Sequence, residues 1–107
     1  MGYFYSYKNM IFNITLGVAF YNQGFIYIKK RYQEYFGPHD SRIDIYLGSW
    51  NELPLEGRIN RTAQPGESPR IMMGTFYTTW VQQNHRQGDN LIIEILNSNY
   101  PNSILIR

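Results

Sequence analysis

The sequence predicts a mainly β fold, about seven short strands in a closed or nearly closed barrel with two short helices among them. Three observations predict it. Apolar and polar residues alternate in several separate segments, the pattern of half-buried strands. Two other stretches place their aromatic residues at helical spacing instead. The chain has 107 residues, 43% of them hydrophobic and 17% aromatic, which suits one domain over residues 1–107 with a single core. Its richness in tyrosine and isoleucine also favours strands.

The elements follow in order. Phe12, Ile14, Leu16 and Val18 alternate with polar residues or glycine and make a first strand. Tyr21-Asn22-Gln23-Gly24 carries turn chemistry, and a short apolar strand resumes over residues 25–28. Residues 30–36 read as a helix, with Tyr32, Tyr35 and Phe36 on one face and Gly37-Pro38 as its stop. Residues 42–49 alternate again through Ile43, Ile45 and Leu47. Residues 55–62 place Leu55, Gly57 and Ile59 on one side and Arg58, Asn60 and Thr62 on the other. Residues 63–69 are loop, rich in Pro, Gly and Ser, and Ile71 and Met73 mark another short strand. Thr75 is placed to cap a second helix with Phe76, Tyr77, Trp80 and Val81 as its apolar stripe and Gly88 as its end. Residues 90–96 and 103–107 are the last two strands.

Composition excludes several functions. The chain has no Cys, which rules out disulfides, thiolate metal sites and Cys nucleophiles. The net charge of +2 permits a polyanionic partner without requiring one. No apolar run is long enough to span a bilayer, and the first ten residues lack the charged head and apolar stretch of a signal peptide. An intracellular protein without a membrane partner is expected. The sequons at Asn13 and Asn60 are then chance matches.

The element order, together with Trp80-Val81-Gln82-Gln83-Asn84-His85-Arg86-Gln87-Gly88-Asp89-Asn90-Leu91-Ile92-Ile93-Glu94, resembles the B-three DNA-binding domain of plants and its bacterial relatives. Those relatives are recognition or effector domains of type II restriction endonucleases. Family members carry an aromatic-Val pair on the second helix, a polar stretch, then Gly-Asp and an apolar strand. Phe25-Ile26-Tyr27-Ile28-Lys29 resembles the short strand entering the first helix, and the likeness in element order runs from about Ile11 to Ile106. Two departures favour a bacterial relative. The plant Gly-Trp is absent, since Gly74 is followed by Thr75, and the plant Ile-Pro-Lys reads Tyr27-Ile28-Lys29 here. The resemblance implies a seven-stranded DNA-binding pseudobarrel in a bacterial cytoplasm, with a nuclease domain or subunit as its companion.

It further implies two arms that grip one major groove, the first over residues 19–25 and the second over residues 58–70. On chemistry alone the second arm is the best DNA-binding stretch. Arg58, Arg61 and Arg70 can fork onto guanine or phosphate, and Asn60 and Gln64 match the donor and acceptor of adenine. Thr62 and Ser68 can bond phosphate oxygens. The ordinary alternative pairs Arg58 with Glu56 or Glu67 on a solvated surface. Tyr21, Asn22 and Gln23 are the first arm's candidates, against a plain hairpin turn. Lys29 leads a basic run with Lys30 and Arg31 at a helix start, where positive charge is mildly unfavourable unless an anion is near. The aromatics at helical spacing are read as core, and Asp89 as a turn residue bonding nearby backbone.

Enzyme signals are weak. The two His residues lack metal-ligand spacing, and no nucleophile elbow or phosphate-binding Gly-rich loop occurs. No acid stands two positions before Lys8, Lys29 or Lys30, as a restriction nuclease site would need, so any cutting domain lies elsewhere. The expectation is sequence-specific binding of double-stranded DNA with no catalysis and no cofactor in this chain. Its rivals are a barrel that binds protein or a small ligand, and a barrel enzyme of another kind.

Overall fold

Seven strands form one sheet in the computed structural model, which describes residues 9–63, 68–96 and 102–107. The chain runs β1 (Asn9–Thr15), α1 (Val18–Asn22), β2 (Phe25–Tyr27), a 3-10 helix (Lys30–Tyr35), β3 (Arg42–Leu47), β4 (Leu55–Asn60), β5 (Arg70–Met72), α2 (Gly74–Asn84), β6 (Asn90–Leu96) and β7 (Asn102–Ile106). The order across the sheet is β1-β6-β7-β3-β4-β5-β2. Neighbours are antiparallel except β3 and β7, which run parallel with Ile45 opposite Ile104. The two end strands, β1 and β2, are consecutive in sequence and joined through α1. The sheet therefore curls until its edges face each other, giving a mainly β pseudobarrel with a seam.

Period-two patterning directs the inner face. Phe12 and Ile14, Ile43 and Ile45, Ile59, Ile71, then Leu91, Ile93 and Ile95, and Ile104 and Ile106 all enter one core. Each such side chain contributes roughly 1.5–3 kcal/mol by leaving water. Gly57 belongs to this face: a Cβ there would run into Ile45 Cδ1 and come within 3.0 Å of the Met72 carbonyl oxygen. From α2, Tyr77 and Val81 plug the core, both fully buried.

Local structure departs from the sequence reading at three places. The first strand, expected to reach Val18, ends at Thr15, and the expected turn is preceded by the single-turn helix α1. One turn is too short to show a helical period, and it is held from outside: Tyr77 Oη donates to the Phe20 carbonyl at 2.9 Å. Gly24, at φ +74°, closes the turn after α1 and accepts from both Met73 N and Gly74 N. Second, residues 30–35 wind as a 3-10 helix; Phe36 just beyond it is buried, and Tyr32 and Tyr35 pack on the core. Third, α2 starts at Gly74, so Thr75 lies inside its first turn and caps nothing. It ends at Asn84, short of Gly88. Phe76, read as core, is 78% exposed. Residues 76 and 77 point about 100° apart on a helix, and α2 turns the Tyr77 and Val81 side inward.

Candidate nucleic-acid interface

The seam between β1 and β2 opens into a cleft of about 310 Å³. Asn13 and Thr15 line it from β1, Phe20 from α1, Tyr27 and Lys29 from the end of β2, and Ser68 from the strand side of the second arm. Ile28 N donates to the Pro69 carbonyl at 2.8 Å, which carries the β2–β5 pairing one step further and sets Lys29 beside Ser68. The cleft thus touches both predicted arms. The sequence marks Asn13 and Thr15 only as the polar side of a strand and Tyr27 only as part of a short apolar strand, because it does not say which strands are edges.

In the first arm, α2 supplies the anchors. Gln82 Nε2 donates to the Tyr21 carbonyl at 3.0 Å and to Asn22 Oδ1 at 3.2 Å. Tyr21 Oη donates to the His85 carbonyl at 3.4 Å, and Asn22 Nδ2 to the Val18 carbonyl at 3.0 Å. Gln23 is exposed, and no described contact engages its side chain. Phe20 turns inward, its ring 5.6 Å from that of Tyr27 and 5.9 Å from that of Phe25.

The second arm is held by its own side chains. Asn60 Oδ1 accepts from Thr62 N and Ala63 N, both at 2.9 Å, and so shapes the turn that leaves β4. The Arg61 guanidinium lies against the end of the 3-10 helix. Its Nε donates to the Gly37 carbonyl, and one Nη2 to those of Gln33 and Phe36, each at 2.8 Å. A cation at a helix C-terminus with free carbonyls is well placed electrostatically. Arg70 stacks on aromatic rings, its Cζ 4.3 Å from the Phe25 centroid and 5.0 Å from that of Tyr27. Its Nη2 donates to Tyr27 Oη at 2.8 Å, while Nε is buried without a hydrogen-bond partner among the described residues.

Arg58 takes the surface pairing anticipated as its ordinary alternative: Nη2 lies 2.8 Å from Glu56 Oε2, and Nη1 donates to the Asp40 carbonyl at 3.2 Å. Thr62 is exposed, and Ser68 is half-buried at the cleft. Gln64 and Glu67 lie outside the described residues. Lys29, Lys30 and Arg31 are exposed, and among the described residues none of them pairs with a carboxylate. The geometry therefore places Lys29 and Ser68 on the cleft wall, and leaves Gln23, Lys30, Arg31 and Thr62 exposed on the segments that flank it in sequence. Asn60, Arg61 and Arg70 are taken up in holding a turn, the end of the 3-10 helix and the Phe25 and Tyr27 rings. Asp89 bonds backbone as expected, accepting from Arg86 N at 2.8 Å.

Among the described residues no three metal-ligating side chains gather, and no helix is long and apolar enough to cross a membrane. No protein-family model matches the sequence, and no curated protein matches it. The fold does match a solved structure, that of a hypothetical Arabidopsis thaliana protein, at 14% identity and a TM-score of 0.61. The likeness covers 94% of this chain and 89% of that one. Identity this low speaks for the fold alone, a pseudobarrel consistent with the B-three resemblance.

Proposed function

We propose that this chain binds double-stranded DNA in a sequence-dependent way, with the seam cleft and its two arms set against one major groove. The observation that carries the proposal is the cleft itself, where Phe20 of one arm, Ser68 of the other and Lys29 converge; Lys29 leads an exposed basic run that makes no ion pair among the described residues. Lys29, Lys30 and Arg31 meet phosphates, aided by the hydroxyls of Thr15 and Ser68. Gln23 and Thr62, outward on the two arms, read base edges. Arg61, Asn60 and Arg70 keep the arms in shape. Catalysis is no part of the proposed role, and the B-three resemblance supports reading the chain as a recognition or effector module of a bacterial cytoplasm that serves a nuclease domain or subunit.

The test is selection from a random duplex pool at moderate salt, followed by titration of the winners against salt. A short reproducible motif is expected, with affinity falling as salt rises by about one power of ten per tenfold salt for each phosphate held. Reversing the basic run (Lys29→Glu, Lys30→Glu, Arg31→Glu) is expected to lower affinity at least about tenfold. Salt-sensitive binding without a motif would reduce the chain to a backbone binder. Absence of binding at low salt would reject the proposal.

A further inference from the structure

An apolar groove lies away from the seam. It is about 580 Å³ in volume and opens between α2 and the segment linking β3 to β4. Leu53, Leu55 and Leu47 form one side, and Phe76, Thr79 and Trp80 the other. Leu53 is 94% exposed and Phe76 78% exposed, although both are large and apolar. Pro54 and Met73 continue the same surface beyond them. Folding does not account for this: α2 buries Tyr77 and Val81, and Phe76 stands on the side left over. Adjoining exposed apolar side chains of this kind mark a place where another molecule sits.

Charge narrows the occupant. The charged residues on these walls are Glu52 and Glu56, with no Lys or Arg. Glu56 is neutralised by Arg58 and Arg42, at 2.8 and 3.4 Å. Among the described residues no ion pair engages Glu52, which is exposed at the rim. The rim therefore repels a polyanion and attracts a cation. Pairing of this face with a second copy about a two-fold axis would bring two unpaired Glu52 carboxylates to one apolar patch without a base between them. The polar side chains on the groove are Glu52, Thr75, Thr79 and Gln83, of which Glu52 alone is charged, so an occupant's charge is met at that one carboxylate.

We infer that this groove docks a peptide segment of a partner protein, one that carries neighbouring large apolar side chains and an adjacent Lys or Arg to meet Glu52. The apolar side chains fill the space between Leu53 and Phe76 against Trp80, and the basic residue closes over the rim. The groove shares no lining residue with the seam cleft. In the sheet order β3 and β4 stand inside while β1 and β2 are the ends, so both surfaces can be occupied together.

Random twelve-residue peptides displayed against the full chain test this, with counter-selection on the double variant Leu53→Ser, Phe76→Ser. Both positions are exposed, so that variant is expected to keep the wild-type urea midpoint and DNA behaviour. The surviving peptides are expected to pair large apolar residues with Lys or Arg and to shift the Trp80 indole signal in NMR spectra. Phe76→Ser alone should weaken them at least about tenfold, as loss of a central aromatic does. Glu52→Gln should weaken them by about threefold, more at low salt. Three results would overturn the inference: no peptide survives counter-selection, the survivors carry no basic residue and ignore Glu52→Gln, or the wild type dimerises through this face and the double variant does not.

Discussion

The first arm is anchored by side chains that reach it from α2, whereas the second is anchored by side chains of its own. Around α1 the donors that reach in from α2 are Tyr77 and Gln82, Tyr21 and Asn22 add bonds of their own, and Gln23 at its end is left facing solvent. In the second arm Asn60, Arg61 and Arg70 all turn inward, onto a turn, a helix end and two aromatic rings. The same polar residue types therefore mean different things. Even where a neighbour supplies most of the struts, Tyr21 and Asn22 are engaged and Gln23 alone of the three candidates stays available. Where the arm supplies them, residues that look like base readers are scaffold.

The sharpest way to break this contrast is Arg61→Ala. It removes three charge-assisted hydrogen bonds, to the carbonyls of Gln33, Phe36 and Gly37. Destabilisation of about 3 kcal/mol is expected in urea unfolding, given the ~1.5–3 kcal/mol typical of a single hydrogen bond to a charged group and incomplete additivity. Arg61→Lys should recover only part of it, since one ammonium cannot span the three acceptors. If Arg61→Ala kept its stability and lost DNA binding alone, Arg61 would be a reader and the second arm would resemble the first.

Tyr77→Phe tests the other half. The Tyr77 hydroxyl is buried and bonded to the Phe20 carbonyl, and its loss should cost about 1 kcal/mol, felt chiefly as loosening of α1. Burial also raises the Tyr77 pKa, by desolvating the phenolate. An unfolded tyrosine gives up its proton near pH ~10, while the folded one holds it longer. The contribution is therefore complete below that pH and is lost as pH climbs beyond it. The stability gap between wild type and Tyr77→Phe should narrow in alkali, and hydrogen exchange at residues 18–22 should report the loosening. Equal exchange in the two proteins would mean that α1 does not depend on α2.

How far the sequence could be read follows the same division between local and distant causes. The strand expected over residues 90–96 forms as Asn90–Leu96, because a short run of Leu and Ile bounded by turn residues is a local signal. The core isoleucines of β3, Ile43 and Ile45, were legible from local alternation. Helix α1 was not, since its bonds come from residues far along the chain. Nor was the seam: that β1 and β2 are edges depends on the pairings β1–β6 and β2–β5, and only those bring Asn13 and Thr15 toward Lys29. The guanidinium of Arg61 finds carbonyls on another element altogether, and no spacing rule announces that.

Lys29→Ala carries the contrast into binding. Lys29 is exposed at the cleft and has no partner among the described residues, so stability should stay within about 0.5 kcal/mol of wild type. DNA affinity is expected to fall about three- to fivefold at moderate salt, and the slope of log affinity against log salt to shrink by about one. An unchanged slope would place Lys29 off the phosphates and move the footprint away from the seam.

The smallest effect expected is from Arg58→Ala, and it is informative because Arg58 opens the segment that the sequence marks as the best DNA-binding stretch. Its guanidinium lies on the outer face of β4, paired with Glu56 and the Asp40 carbonyl, and it is absent from the cleft walls. Removing it leaves Glu56 with Arg42, so the exposed network loses one member and keeps its balance. Pairs of this kind are worth about 0–1 kcal/mol, and a change under about 0.5 kcal/mol in urea unfolding is expected. DNA affinity should change less than about twofold, since an arginine outside the groove-facing surface adds only a screened, distant charge. A tenfold loss with stability intact would show that the footprint runs across the outer face of β4, and that the second arm presents at least one of its arginines to the bases after all.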